Sequence, residues 1–453
     1  MKRILTFQAS KVYDYLDMDI KFFPELTFLY GLNGSGKTTA LRLVMGLLEP
    51  SLSTLLTVPY QVVVLKGVAN QGDVEISASK DRKNFVLACS MADKQLEIPL
   101  ERLEHAEIDA IIERDYVHHE VIDVIRNIST PLFLGIERRF MAPRRGVRRP
   151  ELASSRQMAI RFRHEQMAAE SVDYDPALGE VAELIDGTVR RLKVHQEEIN
   201  DKFRKELLLG SFTYVDPGRG FSFGKQPLEQ AFNEFRRKRE AISQTLRSLD
   251  LMSEEFEKKS EDFFTKIEGV MNTIRQRTKE LKKPEQADKE LSDALTAWFV
   301  NQTQVDRIDR LFDAATKYQE QTETIYKPLN DFVALINKFF CQTGKEVTIG
   351  REGAVRIKMP HKTTSVQALS SGERQIFIML AHLSLNTRLL GGGVFIVDEP
   401  ELSLHMSWQD MLVDAIRAAN PRLQLILATH APAIIGGRNE FCVEVSKLEA
   451  RNA

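Results

Sequence analysis

The chain has 453 residues, more than one hydrophobic core usually supports, so two or three structural units are expected. Charged residues make up 28% and apolar residues 43%, and the net charge of −2 excludes a strong overall field toward nucleic acid, leaving that role to local patches. No run of about 18 apolar residues occurs, so no membrane-spanning helix and no membrane partner are expected. Three isolated cysteines, Cys89, Cys341 and Cys442, lack metal-ligand spacing and read as small buried apolar residues in a reducing compartment.

The first seven residues, Met1 to Phe7, lack the apolar stretch and cleavage site of a leader and read as a strand, so a cytoplasmic location is expected. Strand signals cover Arg3–Gln8, Leu16–Phe22 and Leu26–Tyr30. After the third comes Gly31-Leu32-Asn33-Gly34-Ser35-Gly36-Lys37-Thr38, which fits the phosphate-loop pattern G-x-x-x-x-G-K-[ST] and leads into the helical pattern Leu41, Val44, Met45, Leu48. Glycines let backbone N–H groups turn inward around phosphates, and the helix N-terminus adds its positive end. Asn33, Gly34, Ser35, Gly36, Lys37, Thr38 and Thr39 are therefore expected to bind a nucleoside triphosphate, Lys37 reaching the β- and γ-phosphates and the Thr38 hydroxyl holding Mg²⁺.

Strands at Val74–Ser79, Asn84–Cys89 and Gln95–Pro99, separated by short polar turns, suggest an antiparallel meander. A helical pattern over Leu103–Ile112, a further apolar stretch at Val121–Ile125 and a buried-strand run, Pro131 to Ile136, complete the first lobe. Arg138, Arg139, Arg144, Arg145, Arg148, Arg149 and Arg156 then fall within nineteen residues, mixed with Pro143, Gly146 and Pro150 and opposed only by Glu151. Charge of one sign with proline and glycine argues for a loop, either a solvated surface or a binding surface for phosphates or an acidic protein.

From about 160 to 340 the chain reads as helix. Ile185, Val189, Leu192, Ile199 and Phe203 keep 3–4 spacing, broken by Gln196 and bracketed by Pro176 and Gly210. Leu249, Met252, Phe256, Phe263, Ile267, Val270, Ile274 and Leu281 keep the same spacing before Pro284. Both are coiled-coil-like seams that could pair with each other or with another subunit. Further helices are expected at Leu291–Val300 and Ile308–Phe340, followed by strands Glu346–Ile349 and Ala354–Lys358 with Arg351-Glu352-Gly353 as their turn.

The run Gly393 to Pro400 is a continuous apolar strand ending in Asp398 and Glu399, which places two carboxylates at the ligand edge of a parallel sheet. Asp398 is expected to hold Mg²⁺ and Glu399 to polarise the attacking water. Upstream, Leu369-Ser370-Ser371-Gly372-Glu373-Arg374-Gln375 opens a helix. Beside the phosphate loop and the acids, this stretch resembles the signature sequence of ABC-type ATPases. Glu401-Leu402-Ser403-Leu404-His405 resembles their D-loop, and the buried strand Leu425 to Thr429 ending in His430 resembles their switch histidine. Gln61 and Gln71 are the two candidates for the Q-loop glutamine.

The resemblance covers roughly residues 1–135 and 345–453, with the helical insertion between them. It implies an α/β, two-lobed ABC-type ATPase head: a phosphate-loop sheet plus an antiparallel meander, with an inserted long-helix arm. The implied plan is a first lobe at 1–135, an arginine-rich linker at 136–156, the arm at 157–344 and a second lobe at 345–453. It also implies ATP sandwiched between two subunits, with Ser370, Ser371, Gly372 and Glu373 of one copy completing the site of the other, and so a homo-oligomer of at least two copies. Glu399 and His430 would be the catalytic pair.

The arm and loop resemble the SMC, RecF and OLD-like group rather than transporter motors. OLD-type proteins carry a nuclease domain after the ATPase lobes, whereas 23 residues follow His430 here, so any nuclease is expected on a separate polypeptide. The overall plan is similar to ATPases of two-component bacterial immune systems, foremost the AriA ATPases of PARIS and secondly the PtuA ATPases of Septu. Those resemblances imply an oligomeric sensor that holds a toxin nuclease until a phage protein arrives, with the Arg138–Arg156 segment able to receive an acidic trigger. A RecF- or SMC-like role in DNA repair or chromosome maintenance is the alternative, with DNA as the partner.

Overall fold

The computed structural model describes residues 1–100, 116, 118–129, 131–134, 140–141, 175–211, 237, 254–280, 289–387, 389, 391–402 and 404–445. The pattern expected at Leu103–Ile112 and all seven arginines of the 138–156 segment lie outside the described residues. The chain divides into two compact units, residues 1–189 with 328–453, and residues 190–327.

In chain order the elements are β1 (Arg3–Val12), β2 (Leu16–Lys21), β3 (Leu26–Tyr30), α1 (Lys37–Leu48), α2 (Leu52–Thr57), β4 (Val62–Ala69), β5 (Gly72–Lys80), β6 (Asn84–Cys89) and β7 (Leu96–Pro99). Then follow α3 (Glu120–Ile128), β8 (Leu132–Leu134), β9 (Phe140–Met141), α4 (Pro176–Ser211), α5 (Glu254–Glu280) and α6 (Lys289–Phe340). The last part holds β10 (Glu346–Ile349), β11 (Val355–Lys358), β12 (Thr363–Thr364), α7 (Ser371–Leu385), β13 (Gly393–Asp398), α8 (Met406–Ala419), β14 (Leu423–Ala428), α9 (Pro432–Ile435) and β15 (Cys442–Glu444).

Two six-stranded sheets organise the first unit. One runs β15-β3-β14-β13-β8-β9 and is parallel except for the β8–β9 edge. All six residues of β13 and of β14 are buried, as strands covered on both faces must be, and this explains their predominantly apolar sequence. The other sheet is antiparallel, in the order β2-β1-β4-β5-β6-β7. Its strands alternate instead, with Phe7, Leu65, Ile76 and Leu87 inward and Gln8, Lys66 and Glu75 outward. The strand β4 and the short helix α2 were not anticipated, although β4 carries the same alternation.

The inward faces of both sheets and the buried side of α1 (Leu41, Val44, Leu48) share one apolar core. A polar staple ties the sheets together within it. The buried Gln424 of β14 accepts the Ile4 N–H at 2.6 Å and donates to Ile4 O and Phe23 O, both at 2.8 Å. This satisfies the β1 backbone where its pairing with β4 slips between Ile4 and Thr6.

The second unit is helical. The helix expected between Pro176 and Gly210 is α4. The two helices expected at 291–300 and 308–340 are one, α6, of 52 residues. Its polar stretch from Asn301 does not interrupt it, because such residues cost a helix only tenths of a kcal/mol and Asn301 donates back to Ala297 O at 2.8 Å. The seams pair with this long helix. Phe203 of α4 packs with Ala315 and Tyr318 of α6, and Gln196, which breaks the apolar spacing, accepts the Tyr326 hydroxyl at 2.6 Å. On α5 the buried positions are Phe264, Ile267, Met271 and Ile274, one residue displaced from Phe263 and Val270, which are only half-buried. Of the cysteines only Cys89 is buried; Cys341 is exposed in the turn after α6 and Cys442 is half-buried, so neither is the expected core residue.

Candidate active site

The loop between β3 and α1 takes its shape from glycine. Gly31 has φ +153° and Gly36 +94°, and a Cβ on Gly31 would come within 2.8 Å of Val445 O. A Cβ on Gly36 would meet the side-chain tips Leu16 Cδ2 and Met18 Cε at 2.6 Å, and its φ of +94° is one that other residues adopt only with strain. Gly36 caps α1 in the left-handed conformation and Lys37 begins the helix, so the first turn's free N–H groups face the loop. The buried Lys37 ammonium donates to Gly31 O at 3.0 Å and Leu32 O at 3.1 Å. Burial lowers its pKa, while the carboxylates of Glu399, Asp398 and Glu401 act in the opposite sense.

These residues line an open pocket of about 370 Å³ together with the ends of two parallel strands. Asn33, Gly34, Gly36, Lys37, Thr38 and Thr39 form one wall, and Glu399 and His430 come from beyond β13 and β14. The remaining wall is Tyr13, Tyr15 and Leu16, from the β1–β2 turn. Sequence reasoning missed both tyrosines. The only local signal is an aromatic pair in a turn whose backbone is left-handed at Lys11, Tyr13 and Asp14. Gln61, just before β4, and Gln71, in the turn after it, are not among the residues lining the pocket.

Asp398 is buried at the end of β13, and burial pushes its carboxyl up to about 6, against a lowering hydrogen bond from the Thr38 hydroxyl. Its Oδ1 has no partner. An orphaned carboxylate oxygen beside a loop hydroxyl is the donor set of a hard cation. Among the described residues no group of three or more His, Cys, Asp or Glu forms a ligand cluster. A Mg²⁺ ion here would thus take Thr38 and Asp398 from the protein and its other ligands from phosphate and water. The buried Ser35 hydroxyl of the loop is likewise without a partner.

Glu399 has φ +50°, a left-handed backbone that costs a non-glycine residue on the order of 1 kcal/mol. Its N–H donates to Ala428 O at 2.9 Å, which holds the turn. Glu399 is one of the residues lining the pocket.

The signature-like residues are built differently. Ser370 caps α7, its hydroxyl accepting from Glu373 N–H at 3.5 Å while Glu373 Oε2 accepts from Ser370 N–H at 2.7 Å. The buried Glu373 also takes the Lys345 ammonium at 2.7 Å and the Thr343 hydroxyl at 3.0 Å. Burial alone would raise its pKa, but these bonds hold it below the ordinary glutamate value. Ser370, Ser371, Gly372 and Glu373 are not among the residues lining the pocket.

The model of the AAA ATPase domain family matches residues 14–435. Two curated relatives match a shorter stretch. The retron Vc95 probable ATPase of Vibrio cholerae is 31% identical over 80 residues, and the retron Ec83 probable ATPase of Escherichia coli is 32% identical over 79. The first match covers 16% of both chains and the second 16% of this chain and 15% of the relative, so the chain spans about a sixth of the relatives' length. Among solved structures, the Smc head domain of Pyrococcus furiosus aligns at 13% identity and a TM-score of 0.42, covering 99% of this chain and 94% of that one. The SMC head domain of Thermotoga maritima aligns at 9% identity and 0.35, covering 96% and 91%.

Proposed function

We propose that this chain, which belongs to the AAA ATPase domain family, binds and hydrolyses ATP at the β3–α1 loop and uses that cycle as the sensor and scaffold of a bacterial immune system. The observation that carries the ATPase reading is the convergence of Lys37, Thr38, Glu399 and His430 on one pocket, over an unpartnered Asp398 oxygen. The loop N–H groups and Lys37 bind and orient the triphosphate. Thr38 and Asp398 would hold Mg²⁺, which would supply neutralisation of the phosphate charge. Glu399 accepts the proton of the attacking water, and His430 contacts the terminal phosphate from the other strand end. Tyr13 and Tyr15 offer faces on which the base can stack.

The position of Ser370–Gly372 outside this pocket supports a site completed by a second copy, hence a dimer or larger homo-oligomer. The plan of head lobes with a helical insertion supports the immune reading, in which a separate toxin nuclease is held and released. The two relatives named as retron probable ATPases support its ATPase half. The arginine-rich segment is then the candidate receptor for an acidic phage trigger.

The test uses tagged Glu399→Gln protein made with its native gene neighbours. Positioning survives this change while water activation does not, so ATP should remain bound and turnover fall by about 10²–10³-fold. Normal turnover would remove Glu399 as the base. Mass spectrometry of the co-purifying chains decides the partner. A nuclease-like protein in fixed stoichiometry is expected, whereas DNA with repair or replication proteins would move the chain to the RecF- and SMC-like alternative.

A further inference from the structure

Two residues past Glu399, the half-buried Glu401 spends both carboxylate oxygens on the end of the neighbouring strand. Its Oε2 accepts from the Thr429 hydroxyl at 2.9 Å, and its Oε1 accepts from the His430 N–H at 2.8 Å. The Thr429 hydroxyl also accepts from Ala431 N–H at 3.0 Å, so it sits inside a fixed turn. With the Glu399 N–H on Ala428 O, three successive residues, Ala428, Thr429 and His430, are tied to the Glu399–Glu401 segment. Thr429 N–H in turn donates to Leu29 O at 3.2 Å, on the strand that feeds the phosphate loop.

Hydrogen bonds to an ionised acceptor are roughly twice as strong as neutral ones, and two on one carboxylate fix distance and direction together. The ties matter because of what they join. Glu399 holds a backbone conformation that persists only if its surroundings impose it, and His430 reaches the pocket from an exposed loop. Besides Glu401, the Glu399 N–H bond to Ala428 O joins the two loops.

We propose that Glu401 is a positioning residue for ATP hydrolysis: it locks the loop carrying Glu399 to the loop carrying His430, so that both meet the terminal phosphate in one fixed geometry. The inference rests on the ATPase reading above and names a residue which that reading leaves unused. It requires that hydrolysis, and not nucleotide binding, depend on Glu401. A misplacement of about 1 Å in a reacting group costs on the order of a hundredfold in rate.

The experiment compares full-length wild type with Glu401→Ala, Glu401→Gln, His430→Ala and the Glu401→Ala/His430→Ala pair. It reads steady-state ATPase rate, affinity for a fluorescent ATP analogue and melting temperature. Expected are a fall in kcat of about 10–100-fold for Glu401→Ala with affinity changed less than about threefold. Glu401→Gln should lie between, because its amide oxygen keeps one acceptor. In the Glu401→Ala background His430→Ala should have little further effect, since the histidine is already misplaced. Wild-type turnover with an unimpaired Glu401→Ala, or with losses that multiply independently, overturns the inference and leaves the ATPase reading standing. An inactive wild type that binds no nucleotide overturns both. If Glu401→Ala does not fold, Glu401→Gln and Thr429→Val, which removes one donor, put the same question.

Discussion

At the head of α7 the carboxylate of Glu373 receives hydrogen bonds from Lys345, Thr343 and Ser370, and its helix is capped from both directions. At the end of β13 Asp398 keeps a buried oxygen without a partner, Ser35 keeps a buried hydroxyl without one, and Glu399 stands in a left-handed conformation. Both sites put acidic groups beside a helix N-terminus, yet one is complete within the chain and the other is not. Buried polar groups are ordinarily satisfied, and the exceptions gather where a ligand will satisfy them. The Glu373 cluster thus suits a rigid face presented ready-made. The Asp398 cluster suits a site that becomes stable only when loaded.

The largest expected effect comes from breaking the complete side. Lys345→Met leaves the Glu373 carboxylate buried at a side-chain exposure of 3% with its cation gone, and should destabilise the first unit by about 3–5 kcal/mol in chemical denaturation. Adding Glu373→Gln should return much of the loss, because the uncompensated charge goes with it. The pH dependence carries the same signature. Glu373 titrates below its ordinary value in the fold, so the stability it contributes is complete above about 4.3, the unfolded value, and is lost as the pH falls through the lower folded one. The double variant should lack this component of acid sensitivity. A single variant as stable as wild type would show that Glu373 is satisfied without Lys345.

On the incomplete side the sign reverses. Asp398→Asn keeps the side-chain shape while removing a buried charge with an orphaned oxygen, and should stabilise the nucleotide-free protein by about 1–3 kcal/mol. The same change should lower ATP hydrolysis by about 10²–10³-fold, through loss of the cation ligand. Melting curves with and without Mg²⁺ and nucleotide check both halves: the variant should melt higher when empty and gain less than wild type when loaded. A variant that melts lower when empty would mean that Asp398 is a structural group.

Which parts of this arrangement could be read from sequence follows from how local each one is. The phosphate loop and the acidic end of β13 are consecutive residues whose types are dictated by their own backbone, so Gly31 to Thr39 and Asp398-Glu399 were legible. So was His430, because β14 is buried on both faces and its apolar run marks its end. Tyr13 and Tyr15 acquire their places through the tertiary fold and nothing in their own neighbourhood announces it, while Glu401 stood out only as part of the D-loop-like stretch and its contacts with Thr429 and His430 come from the fold. On α5 the seam positions Ile267 and Ile274 are buried as expected, but Phe264 and Met271 replace Phe263 and Val270, for a related reason. Phe263 and Phe264 are equally apolar, and only the packing against Trp298 and Phe312 decides which is buried.

The smallest effect isolates the strain itself. Glu399→Gln and Glu399→Gly both delete the carboxylate, and both should lower hydrolysis by about 10²–10³-fold, but they differ in the backbone they ask for. Glutamine keeps a Cβ at φ +50° and so keeps the cost of about 1 kcal/mol; glycine adopts that conformation freely. Part of the relief is offset because glycine gains freedom in the unfolded chain, which leaves a net advantage of about 0.5 kcal/mol for the glycine variant. Paired denaturation curves of the two nucleotide-free variants measure it, since the lost charge is common to both and cancels in the comparison. Equal stabilities would mean that the turn from β13 costs the protein nothing, and the contrast with the Glu373 cluster would then rest on the orphaned Asp398 oxygen alone.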